Sequence, residues 1–210
     1  KFNQIALDRG AVAIVSDDIE QKKLLGSKIF LVEDTLNSLQ ELAKHHRLRM
    51  PAKIIAFTGS NGKTTTKELL HACLSQKYRC LATKGNFNNH IGVPLTLLNI
   101  KSKHEFGIIE MGANHKREID FLCKIALPDY GFITNIGKAH MEGFGGLEGI
   151  KIGKSEIYHH LSANDKHIFI DKTNTELNEL LPATDKLINY NSEDFHILED
   201  NLFLSLSYRS

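Results

Sequence analysis

The sequence predicts an α/β protein: a mostly parallel sheet with helices on both faces and a phosphate-binding loop, preceded by part of a small α/β N-terminal domain. From residue 53 onward, apolar strand patterns alternate with helical patterns, which is typical of a parallel sheet. The runs over 106–109 and 130–134 are apolar without alternation, as strands buried on both faces should be. A glycine-rich turn over 58–66 joins a strand to a helix.

The first 50 residues form a smaller piece. Its predicted elements are a helix over 2–9, strands over 11–15 and 28–32, and a helix over 35–47. Asp34 is a suitable N-cap for the last of these helices. Residues 49–52, Arg-Met-Pro-Ala, break the helical pattern and indicate a linker. We therefore expect a partial N-terminal domain over 1–50 and a central domain over 51–210.

The central piece carries most of the predicted elements. Its strands are predicted over 53–57, 79–82, 106–110, 130–134, 166–170 and 186–190. Its helices are predicted over 63–77, 92–99, 115–125, 147–162 and 174–181. From about residue 186 strand patterns follow one another, which indicates an antiparallel edge. The chain starts in a helical pattern and ends in an alternating strand over 202–209, so we expect it to be part of a longer protein.

Composition excludes several classes of protein. A net charge of +1 gives no bulk attraction to nucleic acid or to an anionic membrane. No apolar stretch approaches transmembrane length, and the first residues do not resemble a signal peptide. The cysteines Cys73, Cys80 and Cys123 lack metal-type spacing and are expected to be reduced. We expect a monomer in the cytoplasm.

The turn over 58–66, Thr-Gly-Ser-Asn-Gly-Lys-Thr-Thr-Thr, is the most informative motif. Gly59 and Gly62 allow the backbone to approach a polyphosphate, and free N–H groups at the helix start would face its oxygens. Lys63 adds a full charge, and the Thr64 hydroxyl suits a phosphate-bound Mg²⁺. The alternative is an ordinary strand-to-helix turn with a capping threonine.

Two further polar residues follow predicted parallel strands, where ligands bind in open α/β sheets. Glu110 ends the strand over 106–110, and Asn135 follows the strand over 130–134. A carboxylate on a strand beside a phosphate loop is suited to Mg²⁺, directly or through water. The alternative for Glu110 is a solvated carboxylate at a strand end.

Lys154 lies within the apolar stripe of the predicted helix over 147–162. The stripe is formed by Leu147, Ile150, Ile157, Tyr158 and Leu161. A lysine there must extend to solvent, pair with an acid or lose its charge, and a neutral amine can react with carbon dioxide to give an anionic carbamate. Extension along the stripe is the alternative. His140, in a glycine-rich loop, gives no clear signal by itself.

The run over 83–94 is rich in asparagine, with Asn86, Asn88 and Asn89 around Phe87. Neutral amides suit hydrogen bonding to sugar, phosphate or peptide groups. A turn before a helix, stabilised by asparagine side chains, explains the same composition.

Together these motifs resemble the Mur ligase family, the ATP-dependent enzymes that build the peptide of bacterial cell-wall precursors. The run over 58–68 is similar to the family's short phosphate loop, and the runs over 85–98 and 110–115 are similar to the last ligase of the series. Residues 1–50 resemble, more weakly, the latter part of its uridine-nucleotide-binding domain. Arg117 stands where that pattern has glycine.

The resemblance implies roles for individual residues. Those implied to bind nucleotide are Gly59, Ser60, Asn61, Gly62, Lys63, Thr64, Thr65 and Asn135. Those implied to bind two Mg²⁺ ions are Thr64, Glu110, His140 and a carbamylated Lys154, and the catalytic set is Lys63, Glu110, His140 and Lys154. Those implied to contact substrate are Asn86, Asn88 and Asn89.

The implied activity is ATP-dependent addition of D-alanyl-D-alanine to UDP-MurNAc-tripeptide through an acyl phosphate, in peptidoglycan precursor synthesis. The family has a third, C-terminal domain that this sequence does not contain, so we expect the chain alone not to ligate. One alternative is another Mur ligase or a folylpolyglutamate-synthase-like amide ligase, against which the asparagine-rich run argues. A second alternative is a non-enzymatic nucleotide-binding domain, against which Glu110, His140 and Lys154 argue together.

Overall fold

The computed structural model describes residues 2–138, 140–200 and 204–208. The first elements are α1 (Phe2–Asp8), β1 (Ile14–Ser16), α2 (Ile19–Leu25), β2 (Ile29–Leu31) and α3 (Thr35–Arg49). Strands β1 and β2 form a parallel two-stranded sheet of their own. Sequence analysis missed α2, a helix of seven residues with no buried side chain among them, because no apolar periodicity marks it.

The main sheet has six strands, all parallel, in the order β4-β5-β3-β6-β7-β8. Its strands are β3 (Lys53–Thr58), β4 (Cys80–Ala82), β5 (Phe106–Glu110), β6 (Tyr130–Ile133), β7 (His167–Asp171) and β8 (Leu187–Tyr190). The helices around it are α4 (Lys63–Leu74), α5 (Gly92–Leu98), α6 (Glu118–Ala126), α7 (Met141–Phe144), α8 (Leu147–Ala163) and α9 (Thr175–Asn178). The predicted fold class, a mostly parallel sheet surrounded by helices, is confirmed.

The register of the central strands brings three strand ends to one edge of the sheet. Phe57 on β3 pairs with Glu110 on β5 and with Phe132 on β6. The turn after β3, the last residue of β5 and the residues after β6 are therefore neighbours, although they are far apart in sequence. This is the carboxyl edge at which open α/β sheets bind ligands.

The predicted antiparallel edge is wrong. Strand β8 pairs parallel with β7 and forms the edge of the main sheet. The antiparallel pair is β9 (Phe195–Asp200) and β10 (Leu204–Tyr208), which form a separate two-stranded sheet. Consecutive strand patterns do not reveal which sheet a strand joins, because pairing is decided by contacts distant in sequence. Positions 202, 203 and 209 of the predicted last strand lie outside the described residues.

Helix α3 connects the first elements to the main sheet. Asp34 caps it as predicted, with its carboxylate accepting the Asn37 N–H at 2.6 Å. Its Ala43 is buried in the main core. Its Arg47 pairs with Asp129 at 2.8 Å, just before β6. The division into domains at residue 50 stays a prediction. Among the described residues, no helix is long and apolar enough to cross a membrane.

Candidate functional site

The turn between β3 and α4 leaves the start of a helix open. Gly62 is the N-cap of α4, with a left-handed backbone at φ 74°, and no side chain among the described residues caps this helix. The interpretation as a turn with a capping threonine is therefore wrong. The uncapped N–H groups of a 12-residue helix are suited to an anion. The Lys63 ammonium donates to the carbonyls of Gly59 and Ser60, at 2.8 and 3.3 Å.

Asn135 fixes the shape of this turn. Its side chain accepts from the Asn61 N–H and donates to the Asn61 carbonyl, both at 3.0 Å. Its own carbonyl accepts from the Ser60 N–H at 3.1 Å. The Ser60 hydroxyl also bonds both the N–H and the carbonyl of Gly137. The segment after β6 thus holds the turn in place, a contact that sequence analysis did not predict.

Glu110 is buried beside the helix start, with 2% of its surface exposed. The interpretation as a solvated carboxylate is therefore wrong. One carboxylate oxygen accepts from the Asn88 amide at 2.8 Å, and the other lies 3.5 Å from the Thr64 hydroxyl. The Glu110 N–H donates to the Thr83 hydroxyl at 3.0 Å. One carboxylate oxygen is thereby fixed, and the other faces the turn.

Lys154 is buried on α8, with 2% of its surface exposed, so extension to solvent is excluded. Its ammonium lies 3.5 Å from the Ala113 carbonyl and 5.4 Å from the centre of the Phe144 ring. Burial, and secondarily the charge of Lys63, lower the pKa of Lys154 to about 8, although Glu118 and Glu156 oppose the shift. About one amine in ten is then neutral at pH 7, which favours reaction with carbon dioxide.

A cleft of about 400 Å³ opens beside these groups. Its wall includes Lys63, Asn88, Asn89 and His140. His140 is exposed, has a left-handed backbone at φ 56° and precedes α7. The structure therefore places His140 on the same cleft as Lys63. The role of His140 as a Mg²⁺ ligand stays a prediction.

The three asparagines of the run over 83–94 differ in their contacts. Asn88 bonds Glu110, as described above. The Asn89 side chain accepts the N–H groups of Ile91 and Gly92, at 3.1 and 2.9 Å, so the turn interpretation is correct for Asn89. Asn86 is exposed. Substrate contact by Asn86, Asn88 and Asn89 stays a prediction.

Comparison with known proteins decides the family. Residues 57–207, well over half of the chain, match the family model described as the Mur ligase middle domain. The chain belongs to the Mur ligase family.

Two curated relatives of the chain share the same enzyme name. A UDP-N-acetylmuramoyl-tripeptide–D-alanyl-D-alanine ligase from Bacillus subtilis (strain 168) is 43% identical over 80% of this chain. The Escherichia coli (strain K12) ligase of the same name is 42% identical over 70% of it. The alignments span only 37% and 33% of these relatives. The MurF ligase from Thermotoga maritima, solved in complex with ADP, superposes with a TM-score of 0.80 at 34% identity, covering 94% of this chain and 46% of that one.

A loop that departs from the Mur ligase pattern is held by two carboxylates that sequence analysis missed. Arg117 has a left-handed backbone, φ 71°, which explains why the pattern has glycine there. The Glu156 carboxylate accepts the N–H groups of Arg117 and Asp120. The Glu118 carboxylate accepts those of Asn114 and His115, at 2.6 and 3.2 Å. In the sequence, Arg117 in place of glycine was the feature that could have drawn attention to this loop.

The metal ligands implied by the Mur ligase resemblance are a hydroxyl, a carboxylate, an imidazole and a carbamate. Among the residues that the structure describes, no three His, Cys, Asp or Glu side chains converge on one point. A cation here would therefore need other oxygens as well. The Thr64 hydroxyl beside Glu110, together with phosphate oxygens, would provide such a set.

Proposed function

We propose that this chain is part of an ATP-dependent amide ligase that adds D-alanyl-D-alanine to UDP-MurNAc-tripeptide in peptidoglycan precursor synthesis. The observation that carries the proposal is the name shared by relatives that are 43% and 42% identical. The open helix start, the buried carboxylate and the buried amine at one sheet edge support it. The expectation that this chain alone does not ligate belongs to the proposal.

The triphosphate of ATP would lie on the turn over 59–62 and the first residues of α4. The N–H groups there are uncapped, and Thr64 and Thr65 are exposed beside them. Lys63 would exchange the carbonyls of Gly59 and Ser60 for the phosphate oxygens. The solved relative in complex with ADP supports a nucleotide here. Asn135 would hold the turn in shape and lie near the adenine.

The residues present fit Mg²⁺. The hydroxyl of Thr64 and a free oxygen of Glu110, 3.5 Å apart, would hold one ion, which would offset the negative charge of the phosphates. His140 and a carbamylated Lys154 would hold a second. The carbamate forms when the neutral amine of Lys154 bonds the carbon of carbon dioxide and loses a proton. Its burial and lowered pKa support that step.

The chemistry then has two steps. A terminal carboxylate oxygen of UDP-MurNAc-tripeptide attacks the γ-phosphorus of ATP, and the bond to the β-phosphate oxygen breaks, which gives an acyl phosphate and ADP. The amine of D-alanyl-D-alanine attacks the acyl carbon, loses a proton and expels phosphate. This chain brings two anions together, and Lys63 reduces their repulsion while the 400 Å³ cleft orients the carboxylate.

The alternatives are weaker. If the protein were another amide ligase of the superfamily, it would be unexplained why relatives 43% and 42% identical to it are both named as ligases of D-alanyl-D-alanine. A nucleotide-binding domain without catalysis has no need for both a buried lysine, Lys154, and a buried carboxylate, Glu110, each 2% exposed.

The test is phosphate release from ATP by the whole protein that contains this chain. UDP-MurNAc-tripeptide and D-alanyl-D-alanine are each added and omitted. The proposal expects rapid release only when both are present. Release with a different amine acceptor, or none with the pair, would assign the protein to another branch of the superfamily.

A further inference from the structure

A second groove lies at the open edge of the main sheet, along β4. Its volume is about 620 Å³, which is typical of sites for small molecules. Its walls come from α4, β4, α5 and the loop over 83–87. It shares no lining residue with the 400 Å³ cleft of the candidate site.

Lys67 is the unusual residue of this groove. It lines the groove, yet only 1% of its surface is exposed. Among the described residues, its ammonium has one charged partner, the carboxylate of its neighbour Glu68 at 3.0 Å. The Glu68 side chain is 66% exposed, and a solvated carboxylate compensates a buried charge poorly. An ammonium has three donors, of which Glu68 accounts for one.

The rest of the wall suits an organic ligand rather than a bare ion. Lys84 adds a second, exposed cation, and the exposed Asn99 adds a neutral amide. The hydroxyls of Thr83 and Thr96 also line the groove but are buried and already bonded within the protein. Leu81 and Leu95 provide apolar surface. A chloride or a phosphate ion would leave that apolar surface uncovered.

We propose that this groove binds a small organic anion, whose carboxylate or phosphate group pairs with Lys67 and whose carbon skeleton packs on Leu81 and Leu95. Thr83 joins the groove to the candidate site, because its hydroxyl accepts the Glu110 N–H at 3.0 Å. Lys67 also lies one turn after Lys63 on α4. The bound anion would therefore contact α4, the helix that also carries Lys63 and Thr64. Its binding does not depend on the proposed ligase activity.

The test is a titration of the ¹⁵N-labelled chain with glutarate and, separately, with glycerol phosphate at constant ionic strength. The amide resonances of Leu81, Ala82 and Thr83 report the groove, and those of residues 59–65 report the turn before α4. We expect saturable shifts at β4 with at least one anion. Shifts with glutarate alone or glycerol phosphate alone identify the group that Lys67 prefers.

Variants assign the binding to the groove. Lys67→Met should weaken it about tenfold or more, the value of one charge-assisted hydrogen bond. Lys84→Glu, at an exposed position, should also weaken anion binding. This variant provides the test if Lys67→Met does not fold. Lys77→Met removes an exposed lysine that does not line the groove and should leave affinity unchanged. The absence of saturable shifts at β4 with both anions, or shifts that survive Lys67→Met or Lys84→Glu in a folded protein, would overturn the proposal.

Discussion

At the scale of single residues, the burial of Lys154 has a cost to stability. An ammonium inside an apolar helix stripe loses its hydration, and within the described part of the chain its hydrogen-bond acceptor is the Ala113 carbonyl at 3.5 Å. Burial lowers the pKa of Lys154 to about 8, in the direction that this cost requires. The spacing of the stripe placed Lys154 among apolar residues from sequence alone but left extension to solvent open. The acceptor, on a loop 41 residues away, did not follow from any local pattern.

Replacing Lys154 should therefore stabilise the fold and strongly reduce the activity of the whole protein. The native pKa lies below that of the unfolded chain, so the unfolded state binds more protons between about pH 8 and 10.5, and stability rises with pH across that window. Lys154→Met should remove this rise, add about 1–3 kcal/mol at pH 7, and lower ligation by the whole protein about a hundredfold. Urea denaturation at pH 7 and 10 measures the first two effects.

The control is Lys151→Met, on the same helix, whose ammonium lies near Glu148 and Glu176 at the surface. It should leave the rise between pH 8 and 10.5 intact. A Lys154→Met protein that is less stable at pH 7 would show that the ammonium is well compensated, contrary to this account.

Glu110 permits a second test at the same scale. Glu110→Gln keeps the acceptor for the Asn88 amide but removes the charge facing Thr64. Mg²⁺-dependent affinity for ADP should fall about tenfold or more, with affinity in the absence of Mg²⁺ little changed. Calorimetric titration of the chain measures both. Glu105→Gln, one residue before the same strand, is the control. Equal loss of affinity with and without Mg²⁺ would refute the assigned role.

At the scale of elements, packing against α8 determines where the short helix α7, which follows His140, lies. A side chain at Gly153 would meet the Phe144 ring on α7 at 2.4 Å. A side chain at Gly149 would likewise meet the backbone carbonyl of Phe144. Glycine thus allows the short helix after His140 to approach the helix that carries Lys154.

Gly153→Ala should accordingly destabilise the protein although alanine favours helices. The clash should outweigh the helix-propensity gain of about 1 kcal/mol and cost about 1–3 kcal/mol net. Thermal or urea denaturation measures it. Adding Phe144→Leu should recover part of the loss in the double variant, and additive losses would mean that the two side chains do not meet.

At the scale of the whole molecule, Asp129 joins three parts of the fold at the sheet edge opposite the site. It pairs with Arg47 on α3 at 2.8 Å, Lys166 before β7 at 3.3 Å and Lys53 on β3 at 3.5 Å. Burial by itself would raise the pKa of Asp129, but the Ile54 N–H and these cations hold it below its ordinary value. Its stabilising effect is therefore present above about pH 4 and is lost as pH falls further.

Asp129→Asn should cost about 3–5 kcal/mol at neutral pH, because Arg47 is left buried without its partner. Its stability should also fall less than that of the wild type below pH 4. Urea denaturation across that range measures both effects. A neutral-pH loss confined to a few tenths of a kcal/mol would show that the pair contributes little.

The fold was more predictable than the site. Apolar patterns located the six strands of the main sheet because each pattern is local. The predicted antiparallel edge was wrong because strand pairing is not local. The turn before α4, Glu110 and Lys154 were found from strand ends and helix spacing. The Asn88–Glu110 bond and the Asn135 bonds to the turn join residues 22 and 74 positions apart, and no local pattern reveals them.

The most direct measurement uses UDP-MurNAc-tripeptide labelled with ¹⁸O in its terminal carboxylate, given to the whole protein with ATP and D-alanyl-D-alanine. In the acyl-phosphate route the attacking carboxylate oxygen leaves with the phosphate. Mass spectrometry should therefore find one ¹⁸O atom in each released phosphate. Unlabelled phosphate would mean that water, not the substrate carboxylate, attacks ATP, and would contradict the proposed ligase.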